Sequence, residues 1–239
     1  MKRFFVDKAN FKGEYIIIDG IEHNHLKNVM RLKEGDSIIV VCGDEYDYEA
    51  TIETITKGDT KVRVVNKSLN TYNPTNNVTV FQALTKSDNM MLIVQKLTEL
   101  GVTTFYPFTS DFITSKDKFG KVDKLQVVSN QSVKQCKRSI PMKVENVLKF
   151  KEMVDILNDY DLVLFANECE GENSLKFNQG KYNNVAIIVG SEGGFSESEI
   201  LALKGKATSI SLGKRILRAE TASIALTSVV MYELGEWNV

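Results

Sequence analysis

From Val78 onward the chain alternates short apolar runs with segments of helical periodicity, and this alternation constrains its fold more than any other feature. The runs "VTVFQAL", "VTTFYPF", "DLVLFAN", "NVAIIVG" and "ATSISLG" are typical of strands. A helix is predicted at "DNMMLIVQKLTEL", with Asp88 as its N-cap and Gly101 just past its end. Four more are predicted at "DKLQVVSNQSVKQC", "FKEMVDILNDY", "SESEILALKG" and "AETASIALTSVVMYELGEW". Such alternation predicts an α/β domain with a mostly parallel sheet.

The N-terminal part has a different pattern, rich in short strands. "EYIII", "DSIIVV", "YDYEATIETI" and "TKVRVV" are enriched in Val, Ile, Thr and Tyr and are separated by glycine-containing turns. One helix is predicted at "EHNHLKNVMRL". The pattern predicts a small β-barrel. The polar stretch 66–77 predicts a linker, so we expect two domains, at 1–72 and 73–239.

Composition excludes several classes of protein. Of the 239 residues, 43% are hydrophobic and 26% charged, which is typical of a globular chain rather than a disordered one. No apolar run approaches the roughly 18–20 residues that span a bilayer, and the first residues lack a signal-peptide core. Cys42, Cys136 and Cys169 form no CxxC pair, so we expect neither a zinc site nor a disulfide framework. This use of cysteine fits a protein of the reducing cytoplasm.

Charge is balanced overall but uneven locally. The net charge is −1, so no global basic field predicts nucleic-acid binding. Two acidic residues, Asp117 and Asp123, oppose seven basic ones in one stretch: Lys116, Lys118, Lys121, Lys124, Lys134, Lys137 and Arg138. This local excess is suited to phosphates, although a solvated helix face explains it equally well.

A glycine-rich loop follows a buried strand in "VAIIVGSEGGFSESE". The spacing fails both the dinucleotide pattern GxGxxG and the P-loop pattern, and Glu192 is a poor neighbour for a phosphate. The ligand we expect is therefore a neutral or cationic nucleoside, with a plain tight turn as the alternative. Ser196 and Glu199 have the spacing of a helix capping box.

A second glycine turn follows the next strand, in "LGKRILRAETASIAL". Leu212 and Gly213 are followed by two arginines and then by a helix rich in small residues, a combination that core packing does not require. Glycine lets backbone N–H and C=O groups approach a flat ligand closely. The two loops together therefore predict a site that reads adenine through backbone groups.

The two motifs "GSEGGFSESE" and "LGKRILRAETA" resemble the signature of the 16S ribosomal RNA uridine N3-methyltransferases, which belong to the knotted SPOUT class. "MKRFFV", "EHNHLKNVMRLKEGDSIIV", "QKLTELGV" and "VKQCKRSIP" also resemble that family's segments in order, so the likeness covers nearly the whole chain. Three positions depart from its pattern: Ser191 stands where Pro is usual, Asn89 where a basic residue is usual, and Phe112 where Arg is common.

The resemblance implies a PUA-like β-barrel that holds RNA, an α/β domain with a trefoil knot, and a homodimer with the last helix at or near its interface. It implies S-adenosylmethionine as cofactor, bound by Leu164, Gly190, Glu192, Gly193, Gly194, Leu212, Gly213, Ile216, Leu217, Thr221 and Ala222. General topology rules would not predict the knot, because knots are essentially absent from proteins.

Methylation of uridine N3 requires loss of the N3 proton, which a base or cationic donors at O2 and O4 can favour. Arg218 is the first candidate donor and Arg138 the second, because a guanidinium presents paired planar donors. Glu220 is a candidate base or an orienting group for Arg218, although an acid in a first helical turn is also favoured by the helix dipole. Candidate phosphate contacts are Lys2, Arg3, Arg31, Lys33, Lys134 and Lys137.

Two other functions compete with this hypothesis. A knotted enzyme could methylate a ribose 2′-OH instead, and a ribosome-assembly protein could keep the fold without catalysis. The intact glycine loop and "RAET" motif disfavour the second alternative. His23 and His25 form "HNH", but no further histidine or ligand cluster accompanies them, so a nuclease site is not expected.

Overall fold

The computed structural model describes residues 1–113, 122–167 and 181–237. Its contacts divide the chain into two compact units, the first made of Met1–Asn73 with Val133–Pro141 and the second of Pro74–Ser132 with Met142–Val239. The segment 133–141 therefore belongs with the N-terminal unit, although the sequence placed it in the domain at 73–239. No helix among the described residues is long and apolar enough to cross a membrane.

The first unit is built on a mostly antiparallel sheet. Its described residues form six strands, β1 Lys2–Phe5, β2 Phe11–Lys12, β3 Tyr15–Asp19, β4 Ser37–Val41, β5 Tyr46–Ile55 and β6 Asp59–Leu69, in the order β1-β4-β5-β6-β3-β2. Only the β1–β4 pair is parallel among them. Alternate residues such as Ile16, Ile18, Ile38 and Val40 point into one apolar core, as the period of two predicts.

One helical segment interrupts these strands, as predicted. α1, Gly20–Asn24, continues as a π-helical turn over His25–Val29. His23 is buried, and its Nδ1 lies 2.9 Å from Thr60 Oγ1, so its role is in packing. Both histidines of "HNH" thus lie in this helical segment.

The second unit contains a parallel sheet. Its described residues form β7 Asn77–Ala83, β8 Thr104–Thr109, β9 Lys143–Val144, β10 Leu148–Lys149, β11 Leu162–Ala166, β12 Asn184–Val189 and β13 Thr208–Ile210. The order is β10-β8-β7-β12-β11-β13, with β9 also on β8, and every described pair is parallel. The predicted α/β class with a mostly parallel sheet is confirmed.

Helices cover both faces of this sheet. They are α2 Ser87–Leu100, α3 Val122–Cys136, α4 Phe150–Asp155, α5 Glu197–Leu203 and α6 Ala219–Glu233. Val78 and Val80 of β7 pack with α2 and α6 on one face, whereas Phe81 and Ala83 pack with α4 and α5 on the other. Burial on both faces explains why these strands read as continuous apolar runs.

Several predicted boundaries are wrong. The helix expected over 150–160 ends at Asp155 and is followed by a 3-10 turn, Leu157–Asp159. Strand β6 includes the first four residues of the predicted linker, because they pair with β5. Helix α2 has Lys86 at its N-cap, so Asp88 lies inside the first turn. Gly101 ends that helix at φ 106°, as expected for a left-handed C-cap.

Candidate functional site

A pocket of about 330 Å³ lies at the carboxyl edge of the parallel sheet in the second unit. It is formed by the loops after β11, β12 and β13 and by the start of α6. Because β12 pairs with β11 and β11 with β13, the three loops emerge side by side. The lining residues are Ala166, Asn167, Val189–Phe195, Ile200, Ile210, Leu212, Gly213, Arg215–Ala219 and Ala222. Ligands of α/β proteins bind in crevices at this edge.

Two glycines of the first loop are required by the close approach of other atoms, and the third by its backbone conformation. A Cβ added to Gly190 would lie 3.2 Å from backbone atoms of Gly194, and one added to Gly193 would lie 2.7 Å from Phe112 Cβ. Gly194 has φ 71°, and its N–H donates to Ser191 O at 2.9 Å, which closes a tight turn. Side chains at these positions would disturb the turn that forms one wall of the pocket.

A buried amide holds the start of this loop against the neighbouring strand. Gln82, at the end of β7, is fully buried, and its Nε2 donates to Gly190 O at 3.0 Å and to Ala83 O at 3.1 Å. Sequence reasoning did not find this residue. A polar side chain inside an apolar strand, "VTVFQAL", was the available signal, because a buried amide needs hydrogen-bond partners.

The loop after β8 is fixed to the same glycine loop. Ser191 Oγ donates to Phe112 O at 3.0 Å. Glu199, only 4% exposed, accepts hydrogen bonds from Asp111 N at 3.0 Å and Ser196 N at 2.9 Å. Its capping box with Ser196 is confirmed. The carboxylate therefore fixes a second segment of chain in addition to capping α5.

The second glycine turn supplies the opposite wall. Gly213 has φ 100°, a backbone conformation that residues with a side chain rarely adopt. Ile216 is 83% exposed, and with Leu212 and Leu217 it gives this wall an apolar surface. Arg215 and Arg218 are exposed and also line the pocket, where their positive charges lie opposite in sign to that of Glu192.

Arg218 is the residue that begins α6. It occupies the N-cap with extended backbone angles, φ −66° and ψ 155°, and its carbonyl accepts from Ala222 N at 2.8 Å. Its side chain makes no cap hydrogen bond. The guanidinium therefore stands at the mouth of the pocket on a backbone that the helix fixes. Glu220 follows in the first turn and is half-buried.

The pocket brings together nine of the eleven residues predicted to bind cofactor: Gly190, Glu192, Gly193, Gly194, Leu212, Gly213, Ile216, Leu217 and Ala222. Leu164 is buried inside β11, and Thr221 is exposed on α6, so neither lines it. Of the catalytic candidates, Arg218 lines the pocket and Glu220 does not. Arg138 belongs to the first unit and is 3% exposed.

The predicted phosphate contacts all lie in the first unit but differ in accessibility. Arg3 is mostly buried and donates to both carboxylate oxygens of Asp47, at 2.7 and 2.8 Å. Lys134 pairs with Glu22. Five members are exposed, namely Lys2, Arg31, Lys33, Lys134 and Lys137. Lys116, Lys118 and Lys121 of the basic stretch lie outside the described residues.

Among the described residues, no group of three or more His, Cys, Asp or Glu side chains is arranged to hold a metal ion. The pocket is lined by backbone groups, apolar side chains, the Glu192 carboxylate and two arginines. The apolar side chains and the Glu192 carboxylate suit a flat, uncharged or cationic ligand, whereas the arginines suit an anionic group.

Comparison with known proteins identifies the family. The family model described as the RNA methyltransferase domain matches residues 71–231, and that of the RNA methyltransferase PUA domain matches residues 18–65. The protein of Mesomycoplasma hyopneumoniae named ribosomal RNA small subunit methyltransferase E is 30% identical over 95% of this chain and 97% of its own length. The protein of that name from Rickettsia conorii is 30% identical, with 95% and 94% covered.

A solved structure supports the same assignment. A methyltransferase of Legionella pneumophila, determined with bound S-adenosylmethionine, is 25% identical to this chain. The two structures have a TM-score of 0.84, and 96% of each chain is covered. The fold is that of SPOUT methyltransferases with a PUA-like domain. The chain, with its glycine-lined pocket at the carboxyl edge of a parallel sheet, thus belongs to the RNA methyltransferase family.

Proposed function

We propose that this chain transfers a methyl group from S-adenosylmethionine to N3 of a specific uridine in 16S ribosomal RNA. The observation that carries the proposal is the pocket, in which two glycine loops and Arg218 converge within the matched methyltransferase domain. The relatives named ribosomal RNA small subunit methyltransferase E support the substrate class. The resemblance in the two sequence motifs supports the uridine N3 position.

The residues of the pocket fit S-adenosylmethionine. A Cβ at Gly194 or Gly213 would have no protein atom within 4 Å, so the backbone at these positions is open to a flat adenine ring. Leu212 and Ile216 offer apolar contact. The Glu192 carboxylate suits a cationic ligand better than an anionic one. A volume of about 330 Å³ lies within the range of small-molecule sites.

S-adenosylmethionine supplies an electrophilic methyl group on a sulfonium. The chain must favour the uridine anion that attacks it, because neutral N3 carries a proton. Arg218 has a side chain free of cap hydrogen bonds at the mouth of the pocket, so we assign it the stabilisation of negative charge on O2 and O4. Glu220, in the next turn, is the proposed orienting group or proton acceptor. Since Arg138 is buried in the first unit, we give it no such role.

The N3 atom lies on the Watson–Crick edge, so the uridine must be unpaired or flipped out of its helix. We propose that phosphates around it contact Lys2, Arg31, Lys33 and Lys137, whose side chains are exposed. Arg3 and Lys134 are engaged by carboxylates in the same unit, so they contribute less.

We also propose that the enzyme is a cytoplasmic homodimer. Helices α2 and α6 pack together and leave Leu92, Val229 and Tyr232 exposed on their outer faces. Apolar side chains on two adjacent helices are suited to a second copy of the chain.

The proposal is tested by incubating the protein with labelled S-adenosylmethionine and small ribosomal subunits and then mapping the product by reverse transcription. Methylation at N3 stops the polymerase, whereas a ribose 2′-O-methyl group does so only at low nucleotide concentration. Arg218→Ala should lower transfer at least about 100-fold, since one donor to a developing anion is worth that much. The matched control is Lys214→Ala, an exposed basic residue of the same loop outside the pocket lining.

Absence of label in any RNA or subunit would refute the enzymatic function and favour an assembly protein. Label that gives only the weak, nucleotide-dependent stop would favour a ribose methyltransferase. An Arg218→Ala variant with undiminished turnover would remove this residue from the mechanism.

A further inference from the structure

Phe112 is an exposed aromatic side chain held at the edge of the pocket. It is 47% exposed, whereas Phe105 and Phe108 of the preceding strand β8 are fully buried. A single exposed apolar residue needs no functional explanation. Phe112 differs because its carbonyl and the N–H of the preceding residue are both hydrogen-bonded, which restricts the backbone that carries the ring.

The fixation comes from the glycine loop and from the start of α5. Ser191 Oγ donates to Phe112 O at 3.0 Å, and the preceding residue, Asp111, donates its N–H to the buried Glu199 at 3.0 Å. The Asp111 carboxylate also accepts from Ser196 Oγ at 2.6 Å. These three hydrogen bonds, one to the glycine loop and two to the start of α5, restrict the backbone of Asp111 and Phe112.

The side chain of Phe112 also packs directly on a residue that lines the pocket. A Cβ built on Gly193 would lie 2.7 Å from Phe112 Cβ and 3.5 Å from Cγ, so nothing larger than glycine fits between them. Gly193 shares the pocket lining with Arg218. Phe112 thus contacts a residue of the pocket wall without lining the pocket itself.

We propose that the ring of Phe112 is a stacking surface for a base of the RNA substrate, the target uridine or its neighbour. This inference rests on the proposed function and adds a positioning residue to it. Unpaired bases presented to proteins stack on aromatic side chains, and every base has a π-face to offer. An exposed ring beside the methyl-transfer pocket would hold the unpaired segment while Arg218 engages the reacting base.

The test compares Phe112→Leu with Phe112→Trp. Leu keeps the two carbons that pack on Gly193 but has no π-face, whereas Trp keeps a ring. We expect kcat/KM for the RNA substrate to fall by about 5- to 150-fold in Phe112→Leu, which corresponds to the roughly 1–3 kcal/mol of one base–aromatic stack. Phe112→Trp should stay within a few-fold of wild type. Affinity for S-adenosylmethionine, measured by calorimetry without RNA, should be unchanged in both.

Leu201→Ala is the matched control, because Leu201 is an exposed apolar residue on α5 outside the pocket lining. It should keep wild-type kinetics. A Phe112→Leu variant with wild-type kcat/KM would overturn the inference and leave the proposed function intact. Weakened cofactor binding in Phe112→Leu would also overturn it, because the ring would then support only the glycine loop.

A second measurement does not depend on catalysis. With p-benzoylphenylalanine in place of Phe112, irradiation in the presence of small subunits should crosslink the protein to ribosomal RNA. A crosslink to RNA by a protein that transfers no methyl group would refute the proposed function but support the stacking surface. A crosslink to a ribosomal protein, or none at all, would overturn the stacking surface.

Discussion

Gly193→Ala adds one methyl group where the glycine loop packs against Phe112. The new Cβ would lie 2.7 Å from Phe112 Cβ and 3.3 Å from Phe112 O. Ordinary van der Waals contact begins at 3.4 Å, so the two segments must separate by about 0.7 Å. Neither opposing atom is at the end of a flexible side chain, so a change of rotamer cannot relieve the contact.

The expected cost follows from this geometry. Gly193 lies outside the left-handed backbone region, so alanine meets no backbone strain and the steric contact is the unfavourable contribution. Forcing an extra methyl into a packed position costs about 1–3 kcal/mol. If the loop stays in place, the free energy of unfolding falls by that amount. If the loop moves, the pocket changes shape and affinity for S-adenosylmethionine falls by about 5- to 150-fold.

Urea unfolding and calorimetric titration with S-adenosylmethionine measure the two outcomes separately. The control is Gly58→Ala, where an added Cβ has no atom within 4 Å and the backbone is not left-handed. It should change the free energy of unfolding by less than about 1 kcal/mol. A double-mutant cycle then locates the clash, because Phe112→Gly removes the opposing Cβ and Phe112→Ala retains it.

We expect Phe112→Gly, and not Phe112→Ala, to relieve the defect of Gly193→Ala. A Gly193→Ala protein with both wild-type stability and wild-type cofactor affinity would refute the steric argument. Equal relief by both second-site changes would place the clash elsewhere in the loop.

Three further effects are expected. Glu199→Gln turns one of two accepting oxygens into a donor that faces a backbone N–H, so urea unfolding should show a loss of about 1–3 kcal/mol and calorimetry a weaker cofactor affinity. Glu236→Ala removes the acceptor of four donors at 75–76 and should lower the free energy of unfolding by about 1–3 kcal/mol. Burial raises the pKa of the Cys42 thiol from 9.0 to about 11. The folded state therefore favours the protonated thiol, and its contribution to stability is complete below about pH 9 and lost toward pH 11. The difference in urea midpoint between wild type and Cys42→Ala should change across that window, and a constant difference would contradict the argument.

The sequence predicted the second unit well because its signals are local. Runs such as "VAIIV" are apolar at every position, as expected for a strand buried on both faces. Parallel strands place the loops that follow them at one edge, so two glycine loops after successive strands predicted a shared site. The trefoil knot came from the resemblance alone, since general topology rules do not anticipate it.

The supports of the pocket could not be predicted in the same way. Gln82 bonds to a residue 108 positions away, and Ser191 to one 79 positions away. No periodic pattern in the sequence indicates either contact, because each contact depends on which strands become neighbours in the sheet. Arg3 illustrates the same dependence on the fold. Its residue type predicted a phosphate contact, but its guanidinium pairs with Asp47 within the first unit. Residue type and spacing indicate what a side chain can do, whereas its partner depends on the fold.

The glycines of the pocket show the same contrast, because residues of one type have different structural roles. Gly194 and Gly213 have positive φ and open space where a Cβ would lie, whereas Gly190 has an ordinary φ and backbone atoms 3.2 Å from that position. Asn tolerates the left-handed region better than Ala does, but it is larger. Gly213→Asn should therefore be less destabilising than Gly213→Ala in urea unfolding, and Gly190→Asn more destabilising than Gly190→Ala. The same order at both positions would show that one constraint, conformational or steric, governs both glycines.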